Sequence, residues 1–373
     1  MIQPSFFYSR LTDMGVGFFT GVPDSLLKQF CAYLKDNVPR ERNIIAANEG
    51  CAVGLATGYH LATGKVPLVY MQNSGMGNAT NPLLSLTDPD VYNIPLVLVI
   101  GWRGQPGVHD EPQHVKQGRI TCDLLDTMGI PYSVLPDDEE GCESALKECR
   151  EHLESKGSPY ALVVRKDTFS EYKPVNRTEE KEYPMTRERA LEVITDKLKD
   201  ALFVSTTGMA SRELYEIRDR RGEAHGADFL TVGSMGHSSQ IALGIALNLP
   251  GRRVVCIDGD GAAIMHMGGM TTIATERPGN YIHIMINNGV HDSVGGQPTT
   301  SREVDIHGIA RDMGYRRVFT AESEQDLEKV LECADGPVFV QVMVRRGNRK
   351  DLGRPKTTPV ENKEAFMKNI GSI

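Results

Sequence analysis

Along most of this chain, short apolar runs alternate with stretches in which apolar residues recur every three or four positions. The runs predict strands buried on both faces, and the stretches predict helices that bury one stripe. In the first half, strands are predicted at Gly17–Thr20, Asn43–Ala47, Pro67–Met71, Pro95–Ile100, Tyr132–Leu135 and Tyr160–Val164. Between them lie helical patterns such as Cys51–Ala62 and Glu140–Leu153. In the second half, strands are predicted at Ala201–Ser205, Phe229–Val232, Val254–Ile257, Tyr281–Ile286, Arg317–Phe319 and Val338–Val344, with a helix over Ala262–Ala274. Strand and helix in alternation mean parallel sheets with helices on both faces. The expected fold is therefore α/β, with two tandem parallel-sheet domains. Glu171–Tyr183 is charged, holds Pro174 and lacks apolar periodicity, as a linker should. The division expected is a first domain over 1–170, a linker over 171–185 and a second domain over 186–373.

Composition agrees with that plan and removes some functions. A chain of 373 residues exceeds the size at which a single core usually stops growing. Its 40% hydrophobic and 24% charged fractions are ordinary for a soluble globular protein. The formal net charge of −8 argues against nucleic acid or an anionic membrane as a partner. The longest nearly apolar run, Ile94–Trp102, is too short to span a bilayer, and no charged-then-apolar opening segment is visible. The seven cysteines have no paired spacing, so reduced thiols and a cytoplasmic location are expected.

The passage richest in chemistry is Ile257-Asp258-Gly259-Asp260-Gly261, at the end of a predicted strand. Glycines on both sides of Asp260 let the backbone turn sharply and approach a ligand closely. The N–H groups of the following helix, Ala262 among them, then face an anion, and the helix dipole favours negative charge. Asp260 adds a hard oxygen suited to magnesium. The next apolar run ends in Asn287-Asn288-Gly289, and neighbouring parallel strands end side by side, so the Asn288 amide oxygen can reach an ion held by Asp260. A dinucleotide fingerprint is excluded, because Ile264 holds the position where its third glycine belongs. In the first half, Glu49 follows the apolar run Asn43–Ala47 and opens a helix of small residues. A carboxylate there is costly to bury unless it has a partner; the alternative is a carboxylate that merely caps the helix.

Gly259-Asp260-Gly261, then 25 residues, then Asn287-Asn288 resembles the diphosphate signature of the thiamine-diphosphate enzymes. The resemblance implies thiamine diphosphate and Mg2+ as cofactors, with Asp260, Asn288 and the Val290 carbonyl as metal ligands. It makes Glu49 the acid that hydrogen-bonds the cofactor's pyrimidine ring, and Met235, in Gly233-Ser234-Met235-Gly236, the wedge that bends the cofactor. Ser74 in the glycine-rich Asn73–Asn81 loop, Thr207, Gly208 and Ser234 fall where the family contacts the cofactor. The two halves become a pyrimidine-binding and a diphosphate-binding domain without the middle domain of many relatives. Sites of this family form between one subunit's first domain and its partner's second, so a homodimer or larger homo-oligomer is implied.

Gly21-Val22-Pro23-Asp24-Ser25, the Arg103-to-Gln117 loop and Leu352-Gly353-Arg354-Pro355 narrow the resemblance to the phosphonopyruvate decarboxylases. Sulfopyruvate decarboxylases are close relatives. The substrate implied is a small anionic 2-oxo acid that loses carbon dioxide; a protein that only binds the cofactor is the reading of another class, and the retained Glu49 speaks against it. Asp24, His109 and His291 become candidate proton-handling groups, and Arg103, Asp110 and Gln113 candidate substrate contacts. A phosphonate calls for charge-assisted bonds, and further cations are Lys116, Arg119, Arg165, Arg345, Arg346, Arg349, Lys350 and Arg354.

Overall fold

The computed structural model describes residues 1–175, 183–332 and 335–372. It separates into two compact units, Met1–Thr178 with Ser293–Gln297, and Glu179–Asp292 with Pro298–Ile373. The linker expected over 171–185 falls in part on residues 176–182, which lie outside the described set.

In the first unit the apolar runs form β1 (Phe18–Gly21), β2 (Asn43–Ile45), β3 (Pro67–Gln72), β4 (Val97–Gly101), β5 (Tyr132–Val134) and β6 (Tyr160–Val164). They build one sheet in the order β2-β1-β3-β4-β6-β5, and every neighbouring pair is parallel. All five residues of β4 are buried, as expected for a central strand covered on both faces. Its alternate side chains feed separate cores, Val97 and Val99 one and Leu98 and Ile100 the other.

The second unit repeats the plan with β7 (Leu202–Ser205), β8 (Asp228–Leu230), β9 (Val254–Gly259), β10 (Tyr281–Asn287), β11 (Arg317–Ala321) and β12 (Val338–Met343). Its parallel sheet runs β11-β12-β10-β9-β7-β8. The register sets Gly259 of β9 beside Ile286 of β10. The turns that follow these two strands therefore leave the same edge of the sheet.

One expectation fails. The single helix predicted over Ala262–Ala274 is two helices, Asp260–Met265 and Gly269–Glu276. His266 leaves helical geometry, and the Gln240 side chain crosses the gap to donate to the Gly269 carbonyl at 2.9 Å. A Cβ at Gly269 would lie only 2.6 Å from that amide nitrogen. Elsewhere the helix ends follow their caps. The helix Glu139–Lys156 starts at Asp138, whose carboxylate takes the Gly141 N–H at 2.8 Å, and stops at Gly157 in the left-handed region. Among the described residues, no helix is long and apolar enough to cross a membrane.

Candidate active site

In the first unit the chemistry gathers at the carboxyl ends of β1, β2, β3 and β4. Asp24, just past β1, is fully buried. Its Oδ1 accepts from Gln72 Nε2 at 2.6 Å and its Oδ2 from the Leu26 N–H at 2.8 Å. Burial pushes its carboxyl up, against the pull of Gln72, Leu26 and the Arg103 charge. Gln72 is in turn held by the Ser74 hydroxyl at 2.7 Å. A Cβ on Gly101, at the end of β4, would overlap the Asp24 carboxylate, so only glycine fits there.

Glu49 opens the helix Glu49–Thr63, but Asn48 does the capping, accepting the Cys51 N–H at 2.9 Å. Glu49 is thus not the cap. It is buried, and its Oε2 accepts from Asn78 Nδ2 at 2.7 Å. The other oxygen faces Gly75, where a Cβ would overlap it. Asn78 and Gly75 both belong to the glycine-rich Asn73–Asn81 loop, which is folded against this carboxylate. Asn73 anchors the loop by donating to the Arg103 carbonyl at 2.8 Å and to Thr121 Oγ1 at 2.9 Å.

Arg103 is committed to Asp110 through two bonds of 2.7 and 2.5 Å, and its Nη1 reaches Ser25 Oγ at 2.8 Å. Against the upward push of burial, Arg103 and the N–H groups of Glu111 and Gly104 hold the Asp110 carboxyl well below the usual range. His109 is exposed on the preceding loop. His114, in the first turns of the helix Pro112–Thr127, is the histidine near this pair. Burial and then the Arg103 charge push its imidazole down to about 4. Its Nδ1 and the Gln113 Oε1 are buried without a hydrogen-bond partner among the described residues. Such atoms need a ligand or water.

In the second unit Asp260 follows β9 and is buried. Its Oδ2 takes the Ser301 hydroxyl at 2.7 Å and also the Thr299 hydroxyl. Ser301 Oγ lies 2.8 Å from Thr299 Oγ1 and 2.9 Å from Asn287 Oδ1. Each hydroxyl has a single proton to give. The two are surrounded by more acceptors than they can serve, and burial pushes the Asp260 carboxyl up. An oxygen-rich, donor-poor cluster of this kind suits a hard cation.

Asn288, on the turn after β10, accepts the Val290 N–H on Oδ1 at 3.0 Å. The Gly261 position has no room for a Cβ, which would lie 2.7 Å from His291 Cε1 and 3.3 Å from Met235 Cε. His291 and Met235 are thereby placed against the Asp260 turn, and burial pushes the His291 imidazole down to about 4. Space is open beside Gly259. Among the described residues, the buried hydroxyl of Thr206, next to Thr207 and Gly208 at the end of β7, has no partner, and neither has Asn287 Nδ2. Gly208, at φ +95, begins the helix Met209–Arg221, and Ser234 holds the left-handed region at φ 52. The residues fit a magnesium diphosphate. Oxygen acceptors surround Asp260, unpaired donors lie near by, and a glycine turn exposes backbone N–H groups to an anion.

In the basic tail, Arg349 is turned onto acids of its own unit. Arg349 pairs with Glu188, Glu216 and Asp351. Several partners gave no signal on their own. Gln72, Asn78, Thr299 and Ser301 are common polar residues, and only the fold brings them to the carboxylates. His114 was legible, since it lies one helical turn inside the loop that holds Arg103 and Asp110.

Two family models match the chain. The N-terminal thiamine-pyrophosphate-binding domain of thiamine pyrophosphate enzymes covers residues 5–127, and the C-terminal one covers residues 206–342. The chain is 39% identical to the phosphonopyruvate decarboxylase of Streptomyces viridochromogenes, over 98% of this chain and 94% of that protein. It is 38% identical to the phosphonopyruvate decarboxylase of Streptomyces hygroscopicus, over 98% of this chain and 93% of the other. It is also 40% identical to the sulfopyruvate decarboxylase subunit beta of Methanothermobacter thermautotrophicus, over 44% of this chain and 84% of that subunit.

Proposed function

Because the chain belongs to the phosphonopyruvate decarboxylase family of thiamine pyrophosphate enzymes, we propose that it converts 3-phosphonopyruvate and a proton to phosphonoacetaldehyde and carbon dioxide. The observation that carries this reading is the 39% identity that extends over 98% of the chain. Thiamine diphosphate, held with Mg2+, supplies the electron sink for the bond that breaks.

The protein's own residues bind, orient and move protons. Asp260, Asn288 and the Val290 carbonyl hold the metal, while Thr207, Gly208, Gly259, Gly261 and Ala262 present the backbone to the diphosphate. Glu49 presents the oxygen that faces Gly75 to the cofactor's pyrimidine ring, with Asn78 fixing the other oxygen. Asp24, whose carboxyl is pushed up by burial, is placed to hold a proton for the substrate side. The Arg103–Asp110 pair with Gln113 and His114 forms the polar wall that orients the substrate. His291, beside the Asp260 turn, is neutral at physiological pH and excludes water there.

The assembly is at least a homodimer that completes each site with a second chain. The helix Glu49–Thr63 presents Gly54, Leu55, Gly58 and Leu61 outward, and Leu61 is 72% exposed. In the second unit the helix Ser238–Asn248 presents Gly244 and Leu247 in the same way. Apolar helix faces that expose glycine beside leucine suit close packing against another copy. Six free cysteines among the described residues agree with a cytoplasmic location.

Purified protein given 3-phosphonopyruvate, thiamine diphosphate and Mg2+ should release carbon dioxide and phosphonoacetaldehyde in equal amounts. No aldehyde would remove the substrate assignment. The match to a sulfopyruvate decarboxylase subunit favours 3-sulfopyruvate as a second reading. With both acids in one tube, the faster disappearance of the sulfonate would put that reading first.

A further inference from the structure

The Asn288 side chain is pinned at both ends. Its Nδ2 donates to Asp292 Oδ2 at 2.7 Å, and its Oδ1 accepts the Val290 N–H at 3.0 Å. A carboxylate only accepts, so Asp292 decides which end of the amide faces it: the nitrogen turns toward Asp292 and the oxygen turns away. Asp292 Oδ2 is itself held by Arg187 Nη1 at 3.2 Å and by the Gly347 N–H at 3.1 Å.

Arg187 and Glu213 form the base of this arrangement. Their side chains are only 7% and 2% exposed, and they join through two bonds of 2.7 and 3.0 Å. Burying such a pair is seldom justified by stability, since an apolar pair of equal volume often does as well. With three of its donors spent on Glu213 and Asp292, Arg187 has little left for a substrate anion. The network ties together the helix Arg187–Lys197, the helix Met209–Arg221, the turn after β10 and the segment after β12. What these four segments share is a hold on the amide of Asn288.

We propose that Asp292, held by Arg187, is a positioning residue that keeps the Asn288 amide oxygen turned to the divalent metal, so that metal affinity depends on an ion network that does not touch the metal. This rests on the reading of Asp260 and Asn288 as metal ligands. Partners behind a metal ligand commonly contribute 10–100-fold to metal affinity (about that range).

The test is calorimetric titration of the full-length protein with thiamine diphosphate at stepped Mg2+ concentrations, without turnover. Asp292→Ala should raise the Mg2+ concentration for half-maximal cofactor binding about 10–100-fold. Cofactor affinity at saturating Mg2+ should return close to that of the parent. Arg187 keeps Glu213 in this variant, so the fold is retained. Asp292→Asn, which can still offer an oxygen to Asn288 and Arg187, should recover most of the lost affinity. Arg189→Ala removes an exposed pair with Glu324 from the same helix and should change nothing. An unaltered Mg2+ requirement in Asp292→Ala would overturn the proposal, as would an equal loss in Asp292→Asn. Asn288→Ala, run in parallel, separates the two levels. If it too has the parent's Mg2+ requirement, the metal reading itself falls. If Asn288→Ala is weakened and Asp292→Ala is not, only the positioning role falls.

Discussion

Both units place a buried carboxylate on the turn after a parallel strand, yet they hold it in opposite ways. Glu49 in the first unit meets one side-chain amide, from Asn78, and on its other oxygen a glycine with no side chain at all. Asp260 in the second unit meets two hydroxyls, with further acceptor oxygens close by. An oxygen that faces a glycine leaves room for a ligand to come within proton-transfer reach. A carboxylate among surplus acceptors is set to share a cation. On the proposed reading one architecture yields an acid in one unit and a cation holder in the other, and the difference lies in what each turn brings near the oxygens.

The hardest blow to this contrast is Glu49→Gln. The amide is nearly isosteric but carries no acidic proton, so turnover should fall by about 10²–10⁴, while cofactor binding stays close to that of the parent. Single-turnover carbon dioxide release paired with calorimetric cofactor titration checks both halves. Ordinary turnover in this variant would end the acid assignment. Asp260→Ala should do the reverse. Thiamine diphosphate and Mg2+ affinity should drop together by about 100-fold or more, since metal and protein fold are linked through the ligand set. The melting temperature of the protein alone should not fall, because the desolvation cost of a buried carboxylate is removed. Thermal scans with and without cofactor read this directly: the shift caused by cofactor should vanish.

A finer probe is Gly75→Ala. Its Cβ would overlap the Glu49 carboxylate, so the acid must move by a fraction of an ångström or the loop must give way. Displacements of about 1 Å at a reacting group can remove about 100-fold of rate. A drop of about tenfold or more in kcat, with Mg2+ affinity unchanged, is expected. Gly259→Ala is the counterpart in the second unit. Among the described residues nothing lies within 4 Å of that Cβ position, so the loss expected there comes through the ligand and appears as weakened cofactor binding.

The contrast also explains what the sequence could and could not disclose. Buried strands announce themselves as apolar runs, and β9 and β10 end side by side because parallel neighbours share register. That made Asp260 and Asn287-Asn288 readable as one place from spacing alone. Thr299 and Ser301 were not readable, because loop hydroxyls are common and the loop after β10 carries them back to Asp260. The break between Met265 and Gly269 was hidden for a similar reason. The Gln240 side chain that enters it comes from another helix. The helix that begins at Pro112 leaves His109 exposed on the loop before it and His114 half-buried in its first turn, a difference that residue type alone does not carry.

His114 supports the smallest and most exacting prediction. Burial, and then the Arg103 charge, hold its imidazole at about 4, against about 6.5 for an unfolded histidine. Between those values the unfolded chain takes up a proton that the folded protein refuses, so stability must fall as pH drops through that window. His291, also pushed down to about 4 by burial, acts with the same sign in the second unit. His114→Gln removes one of these two contributions and leaves the other. Its melting temperature should therefore decline less than the parent's between pH 7 and pH 5, by a few degrees, and His291→Gln should do the same. Thermal scans across that range test the pair. If either variant tracked the parent curve, that histidine would not be held neutral by its surroundings, and its place beside the Arg103–Asp110 pair or the Asp260 turn would have to be reassigned.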